Sequence, residues 1–293
     1  MNAGLLYATL AFGLWGVFPL YFRAVASVAP LEVVLHRSAW SLVFMWILLT
    51  ALRRWAWLPG LLKQPRQLAL LVVSAWLLAC NWFVYVYAVH EHEVVEASLG
   101  YFINPLLNVV LGVVVLRERL RSVQWVAVAL AALGVLWLTW LLGRPPWIAL
   151  LLAGSFGIYG LIRKIAVLGA PEGLMVESLV LAPVVLPWLT WYSLRGGGAF
   201  STEHWDGATS FWLVLAGPLT ALPLLAFAAA ARRLKLATLG LVQYLGPSIQ
   251  LALGVWVFHE PFDPGRLVGF ALIWVALAVY SADAWRQGRG ESG

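Results

Sequence analysis

The chain alternates long apolar runs with short polar connections, a pattern typical of helices that cross a membrane. A membrane-spanning helix needs about 20 mostly apolar residues to cross about 30 Å of hydrocarbon. Division of the sequence at its charge clusters, prolines and glycines predicts an all-α integral membrane protein with ten transmembrane helices. The predicted helices are 3–22, 30–52, 67–90, 94–116, 122–141, 146–162, 172–194, 209–231, 236–258 and 264–284.

Lysines and arginines concentrate in alternate loops, which predicts the orientation of the chain. If the N-terminus is cytoplasmic, fourteen of the 19 basic residues fall in inner loops or the C-terminal tail and four fall in outer loops. Arg37 lies inside a helix. Because an excess of Lys and Arg marks cytoplasmic loops, both termini are expected in the cytoplasm.

The two halves of the chain resemble each other, which predicts an internal repeat. The pattern Asn104-Pro105 followed by Asn108 recurs 142 positions later as Gly246-Pro247 followed by Gln250. Since five helices per half is an odd number, the second half must enter the membrane inverted. We therefore expect a first repeat at 1–143, an inverted repeat at 144–285 and a cytoplasmic tail at 286–293. Inverted repeats are typical of secondary transporters that alternate between two states around a midplane site, although channels also contain them.

The composition excludes a soluble domain and several function classes. Apolar residues make up 62% of the chain and charged residues 11%, whereas soluble proteins average about 25% charged. The net charge of +6 would suggest nucleic acid in a soluble protein, but here the basic residues lie in membrane loops. Cys80 is the only cysteine, which excludes an internal disulfide and a thiolate metal cage. The sequence contains neither GxxxxGK[ST], the phosphate loop of ATP-driven proteins, nor the zinc motif HExxH.

The stretch 94–106, VVEASLGYFINPL, resembles the signature of the RarD branch of the EamA transporters, in the drug/metabolite transporter superfamily. Gly112 and Glu118 continue the resemblance, and a weaker EamA pattern from Gln243 to Glu260 extends it over essentially the whole chain. The resemblance implies two inverted five-helix repeats around a central cavity, in a bacterial inner membrane. It also implies secondary, non-ATP export of small amphipathic metabolites such as amino acids, or of drugs. The name RarD is attached to chloramphenicol sensitivity and does not define the substrate.

Ionisable side chains inside predicted helices are costly to bury and often mark a pathway or an ion pair. Arg37 could bind a substrate carboxylate through its planar fork, or it could extend to the membrane surface or pair with Glu32. His36 could relay a proton. Glu177 lies at the position matching His36 in the second half. It could be a coupling or gating carboxylate, or a partner for the basic residues that end the preceding helix.

Polar and aromatic side chains recur at helical spacing on the predicted helices. Positions three, four or seven apart share a helix face, so these groups could line a cavity with hydrogen-bonding and aromatic surface. The alternative is hydrogen bonding between helices, worth about 0.6 kcal/mol each. With His36, Arg37 and Glu177, the predicted substrate-binding residues are Asn81, Tyr85, Tyr101, Asn104, Asn108, Gln243 and Gln250.

Other interpretations of these residues remain open at this point. An intramembrane enzyme or a structural or signalling subunit competes with the transporter, whose partners would be a small-molecule substrate and the lipid bilayer. A proton could be the coupling ion, through His36, Glu177 or Glu96, or exchange could be uncoupled. The loop 90–93, HEHE, could hold a divalent ion, but a solvated loop is favoured. We therefore expect no metal site, no cofactor and no nucleic-acid partner.

Overall fold

The structure, a computed structural model, describes residues 3–91, 93–201, 206–259 and 264–290. Within these ranges the chain forms helices and no strand, and ten helical stretches are long and apolar enough to cross a membrane. The predicted all-α fold with ten membrane-spanning helices is therefore confirmed. The helices are α1 (Ala3–Gly16), α2 (Phe18–Ala24), α3 (Pro30–Ala51), α4 (Leu58–Leu62), α5 (Pro65–His90), α6 (Val94–Val114), α7 (Ser122–Leu142), α8 (Trp147–Ile165), α9 (Ala170–Leu194), α10 (Gly207–Ala231), α11 (Leu236–Gln243), α12 (Leu245–Trp256) and α13 (Pro264–Gly290).

Two of the ten spans are interrupted helices. Span one consists of α1 and α2, span nine consists of α11 and α12, and the short helix α4 lies in a connection between spans. The predicted ends lie within about three residues of the observed spans, because charge clusters and prolines end the apolar runs. The helix α13 continues to Gly290, into the predicted tail 286–293, whose last three residues lie outside the described ranges.

Contacts between helix ends define the two faces of the bundle. At one end Gly4 lies against Leu234, and Arg121 forms an ion pair with Asp283. We call this end the terminal face, because α1 begins and the last span ends there. At the opposite end, the distal face, the Glu32 carboxylate accepts a hydrogen bond from the backbone N–H of Ala199 (2.7 Å).

The interior of the bundle is closely packed and its exterior is apolar. A Cβ added at Gly217 of α10 would lie only 2.4 Å from the backbone carbonyl of Trp40, so this glycine allows α10 to approach α3. On the exterior, Leu194, Trp256 and Trp140 are 82%, 77% and 70% exposed. Such a surface is stable only in lipid, and the exposed tryptophans near helix ends are typical of a membrane interface. The chain is a multi-pass membrane protein.

Candidate functional site

A cavity of about 370 Å³ lies between the helices, in the half of the protein nearer the distal face. Its walls come from α1, α2, α3, α5, α6, α8, α10, α11 and α12. Phe22 and Ser98 line it near the distal ends of their helices, whereas Phe12 and Leu224 line it in mid-span. Pockets that bind small molecules typically measure about 300–1,000 Å³, so the cavity is large enough for a small ligand.

Prolines account for the interruptions in the two broken helices of the cavity wall. Pro19 lacks the N–H that would bond to the carbonyl of Trp15, and the first span breaks between α1 and α2. Pro247 likewise removes a donor to the carbonyl of Gln243, and span nine breaks between α11 and α12. Broken helices in a membrane are tolerated where they line a cavity, and they often form transporter binding sites.

Both predicted glutamines line the cavity, and each also holds two helices together. The Nε2 group of Gln250 donates to the carbonyl oxygen of Trp15 (3.1 Å), the same carbonyl that loses its helical donor at Pro19. The Oε1 atom of Gln243 accepts a hydrogen bond from the Nδ2 group of Asn108 (3.0 Å). The first bond compensates for the broken backbone of span one, and the second joins α11 to α6.

Arg37 is the only charged residue among the described residues that line the cavity, and it is 8% exposed. Its guanidinium lies over the rings of Phe18, Phe22 and Trp82, at 5.1, 5.7 and 5.5 Å from their centroids. Its Nε group donates to the hydroxyl oxygen of Thr220 (2.9 Å). Arg37 therefore neither extends to the membrane surface nor pairs with Glu32, the two alternatives that the sequence left open.

The Arg37 guanidinium has no carboxylate partner within the part of the chain that the structure describes. The charged or titratable groups near enough to act on it electrostatically are the hydroxyls of Tyr21, Tyr85 and Tyr101. Its two Nη groups form no hydrogen bond with the described residues. Neither is among the fully buried polar atoms that lack a partner, so both keep some accessible surface. The fork of the guanidinium is thus available to a ligand.

Four other predicted residues lie on the cavity wall: Asn81, Tyr85, Tyr101 and Asn104. The Nδ2 group of Asn81 donates to the carbonyl of Leu152 (2.9 Å) and to the hydroxyl of Ser155 (3.0 Å), so this amide holds α5 against α8. Asn104 is 2% exposed, and its Oδ1 atom has no hydrogen-bond partner among the described residues. Asn104 therefore borders the cavity, but this acceptor oxygen is itself shielded from the cavity in this state.

Three predicted residues, His36, Asn108 and Glu177, do not line the cavity. Asn108 is fully buried behind the wall and reaches the cavity only through its bond to Gln243. The Nε2 atom of His36 lies 3.6 Å from a carboxylate oxygen of Glu32, and its ring packs against Phe200 near the distal face. The structure thus separates His36 from Arg37, its neighbour in sequence.

Glu177 forms a buried ion pair in the terminal half of the bundle. Its Oε1 atom lies 3.6 Å from an Nη group of Arg163, and both side chains are 1% exposed. The same oxygen accepts a hydrogen bond from the hydroxyl of Ser74 (2.5 Å), and the other accepts one from Tyr159 (3.4 Å). The structure therefore pairs Glu177 with a basic residue of the preceding helix. This is the second of the two interpretations that the sequence left open, the first being a coupling or gating carboxylate.

An aromatic cluster separates the cavity from the terminal face. Phe227 is fully buried, and its ring packs against those of Phe12, Phe156 and Tyr159 at centroid distances of 6.1, 5.1 and 5.9 Å. Phe12 and Phe156 line the cavity, whereas Phe227 and Tyr159 lie behind them. The cluster forms a hydrophobic floor of packed rings beneath the cavity.

Charged contacts close the terminal face beyond that floor. Glu118 lies in the loop between α6 and α7 and accepts hydrogen bonds from the first backbone N–H groups of α11, at 2.7 and 3.1 Å. Its other partner is Lys164 of α8 (3.6 Å). Arg54 pairs with Glu172 at 2.6 Å. A carboxylate at a helix N-terminus is favourable, which explains Glu118; its repeat counterpart Glu260 lies outside the described residues.

The loop that could have held a divalent ion instead contains an ion pair. Glu93 and Glu96 both lie against the guanidinium of Arg144 on the distal face, and Glu96 is 3.1 Å from it. Hydrogen bonding and the charge of Glu93 raise the pKa of Arg144. His92 lies outside the described residues. Elsewhere in the chain, where residues are described, no three His, Cys, Asp or Glu side chains are grouped for a metal.

The sequence did not identify the aromatic rings around Arg37 or its hydroxyl partner as part of the site. Phe18 and Phe22 are four residues apart and therefore share one helix face, which was a usable signal. Trp82 follows Asn81 directly, but residues adjacent in sequence do not normally share a helix face. Thr220 lies 183 residues from Arg37, and no local pattern could have connected them.

Comparison with known proteins identifies relatives along the whole chain. The profile of the EamA-like transporter family matches residues 2–140. An uncharacterised transporter of Pseudomonas aeruginosa is 46% identical, covering 98% of this chain and 95% of its own. Protein RarD of Streptomyces exfoliatus is 45% identical, with coverage of 98% and 91%.

Among solved structures, a protein of known crystal structure shares the fold, with a TM-score of 0.73 and 19% identity. The superposition covers 95% of this chain and 97% of the other. At that identity the likeness concerns the fold alone. The two sequence relatives are far above that level over nearly their full lengths, and this chain therefore belongs to the EamA-like transporter family, in its RarD branch.

Proposed function

We propose that this membrane transporter carries small amphipathic metabolites or drugs by alternating access, with the cavity as its substrate site. The observation that carries the proposal is a small-molecule-sized cavity, bounded by two broken helices and separated from the terminal face by the aromatic floor. In the opposite state the floor and the terminal ion pairs open while the distal side closes. No ATP-binding motif is present in the sequence, so transport is secondary.

The halves 1–143 and 144–285 supply the two states as inverted repeats. Phe102 and Tyr244 are equivalent under the 142-residue shift, and the Tyr244 hydroxyl donates to the carbonyl of Phe102 (3.1 Å). Equivalent residues contact each other where they lie near a two-fold axis. Glu32 and Glu172 lie in the first turns of α3 and α9. Glu32 accepts the Ala199 N–H at the distal face and Glu172 pairs with Arg54 at the terminal face, as inversion requires. Exchange of the two arrangements would move the opening from one face to the other.

The terminal face is cytoplasmic in this proposal, and the membrane is the inner membrane of a bacterium. The excess of Lys and Arg in the loops of that face supports the orientation. The cavity then lies in the half nearer the outside, and export begins from the opposite state, in which substrate enters from the cytoplasm.

Seven predicted residues contact the substrate in this proposal: Arg37, Asn81, Tyr85, Tyr101, Asn104, Gln243 and Gln250. Asn108 acts by positioning Gln243. His36 and Glu177 already have partners, which favours exchange without a proton. The alternative, proton coupling through either residue, predicts that an imposed pH gradient drives net accumulation of substrate.

A counterflow assay in proteoliposomes tests the proposal. Vesicles are loaded with each unlabelled amino acid, nucleoside, organic acid or amphenicol drug and then given a trace of the same labelled compound. We expect transient accumulation of at least one compound, with loss of accumulation in Asn104→Leu and retention in Thr190→Val, an exposed position on α9. Folded protein that accumulates none of them would contradict transport and favour a structural or enzymatic role. The Pseudomonas aeruginosa relative is named as a transporter and the matching family is a transporter family, which points away from an enzyme.

A further inference from the structure

The cavity contains one buried positive charge that the described residues leave without a counter-ion. Arg37 is 8% exposed, and the residues with which it interacts are Thr220 and a set of aromatic rings and tyrosines. Burial of an unpaired ion is unfavourable, and neighbouring aromatic faces offset only part of that cost. The empty site is therefore electrostatically incomplete.

We infer that the substrate is an organic monocarboxylate with one net negative charge and an apolar, ring-sized body. This inference rests on the proposed function and specifies its substrate class. The carboxylate binds the free Nη groups of Arg37 in the fork geometry that guanidinium favours. The body packs against the aromatic wall of the cavity, which includes Trp15, Phe18 and Phe156.

Net charge distinguishes this class from zwitterions and cations. No carboxylate is present among the described lining residues, so an ammonium group on the ligand would enter without an anionic partner. In an α-amino acid that ammonium lies beside the carboxylate and therefore close to the Arg37 guanidinium. A zwitterion also leaves the site with its net charge of +1, whereas a monoanion neutralises it.

The same charge predicts how the carrier cycles. Closure of the empty cavity would seal the Arg37 guanidinium from solvent without a counter-ion, whereas closure around a bound anion seals a neutral pair. The loaded carrier therefore changes state faster than the empty one. Exchange of anion for anion is expected to exceed net efflux by about tenfold or more, which corresponds to about 1.4 kcal/mol in the barrier.

Four probes that differ in single groups test the substrate class: 3-phenylpropionate, L-phenylalanine, 2-phenylethylamine and 3-phenylpropanamide. They share a phenyl body and differ in charge. The first is an anion, the second a zwitterion, the third a cation and the fourth neutral. Each is added at the same concentration to purified protein in detergent, and the rise in thermal midpoint reports binding by mass action. We expect 3-phenylpropionate to bind about tenfold more tightly than the zwitterion or the amide, and the amine to give no shift.

Variants of Arg37 assign the preference to that residue. Arg37→Gln should abolish the selective shift, and Arg37→Lys, which keeps the charge but loses the fork, should weaken it while leaving the order of the probes unchanged. Arg195→Gln is the matched control, because Arg195 stacks on Trp191 outside the cavity. Size-exclusion profiles identify any variant that fails to fold, and the wild-type order of probes still decides the inference in that case.

The outcomes separate this inference from the proposed function. Equal or stronger stabilisation by the zwitterion, the amine or the amide, or no stabilisation by the anion, overturns the monocarboxylate class. Counterflow of some other compound would then leave the transporter intact. Conversely, selective binding of the anion without counterflow of any compound would support the class and contradict transport.

Discussion

The buried ion pair between Glu177 and Arg163 provides a sharp test of how the structure assigns its intramembrane charges. The change is Glu177→Gln, which keeps the side-chain volume and removes the negative charge. Arg163 would then retain one hydrogen bond to the carbonyl of Ala170 (3.0 Å) and a longer one to the carbonyl of Gly169 (3.4 Å). Its Nε and Nη1 groups already lack hydrogen-bond partners within the described structure.

The separation of the two charges sets the expected magnitude. At 3.6 Å, two unit charges attract by about 5 kcal/mol with an effective dielectric constant of about 20. Removal of one partner from a buried pair typically costs about 3–5 kcal/mol, because the other charge remains buried and unpaired. We expect Glu177→Gln to lower the free energy of unfolding by that amount. Arg163→Met should cost less, because Glu177 can take up a proton and keep its bonds to Ser74 and Tyr159.

The assay is a double-mutant cycle on protein unfolded by SDS in mixed micelles. The double variant Arg163→Met/Glu177→Gln should be more stable than the sum of the single effects predicts, by at least about 1 kcal/mol. Glu91→Gln on the exposed distal surface is the control and should change stability by less than about 0.5 kcal/mol. Additive single effects within about 0.5 kcal/mol would refute the pair. Full stability of Glu177→Gln with lost pH dependence of transport would restore Glu177 as a coupling carboxylate.

Three further predictions concern stability and closure. Gly217→Ala should destabilise the protein by about 1–3 kcal/mol, because its Cβ meets the Trp40 backbone, whereas Gly154→Ala, which has open space, should not; SDS unfolding measures both. Hydrogen bonds from the first turn of α10 lower the pKa of Asp206. The stability that this cap adds is therefore present above the ordinary carboxyl range and lost as pH falls through the lowered pKa, so thermal midpoints of wild type and Asp206→Ala should converge only at acidic pH. Glu118→Gln should weaken closure at the terminal face. Single cysteines introduced at that face should then react faster with membrane-impermeant maleimides, and unchanged labelling would contradict a role of Glu118 in closure.

The positions of the spans could be predicted from the sequence because hydrocarbon thickness and the cost of charge act on local composition. The runs 30–52 and 122–141, for example, end within one residue of the helices α3 and α7. The breaks in spans one and nine were not predicted. Pro19 and Pro247 were visible, but whether a proline kinks a helix or divides it depends on the neighbours that satisfy the freed carbonyl.

The candidate site depended more strongly on tertiary structure. Asn104 and Asn108 share a helix face, yet Asn104 borders the cavity and Asn108 is withdrawn behind it by its bond to Gln243. His36 and Arg37 are adjacent, yet His36 lies against Glu32 of its own helix and a loop phenylalanine, whereas Arg37 contacts α2, α5 and α10. The sequence could identify which polar groups are costly to bury, but only the packing of distant spans determines which of them have partners and which face a cavity.

The most direct test of the central claim is whether substrate passes through this cavity. Ser98 is exposed on the cavity wall, so Ser98→Cys in a Cys80→Ala background gives one reactive thiol there. The measurement is counterflow of the best labelled compound before and after complete modification with a bulky thiol reagent. The account predicts that modification abolishes counterflow and that unlabelled substrate slows the modification. Unchanged counterflow through fully modified protein would contradict it.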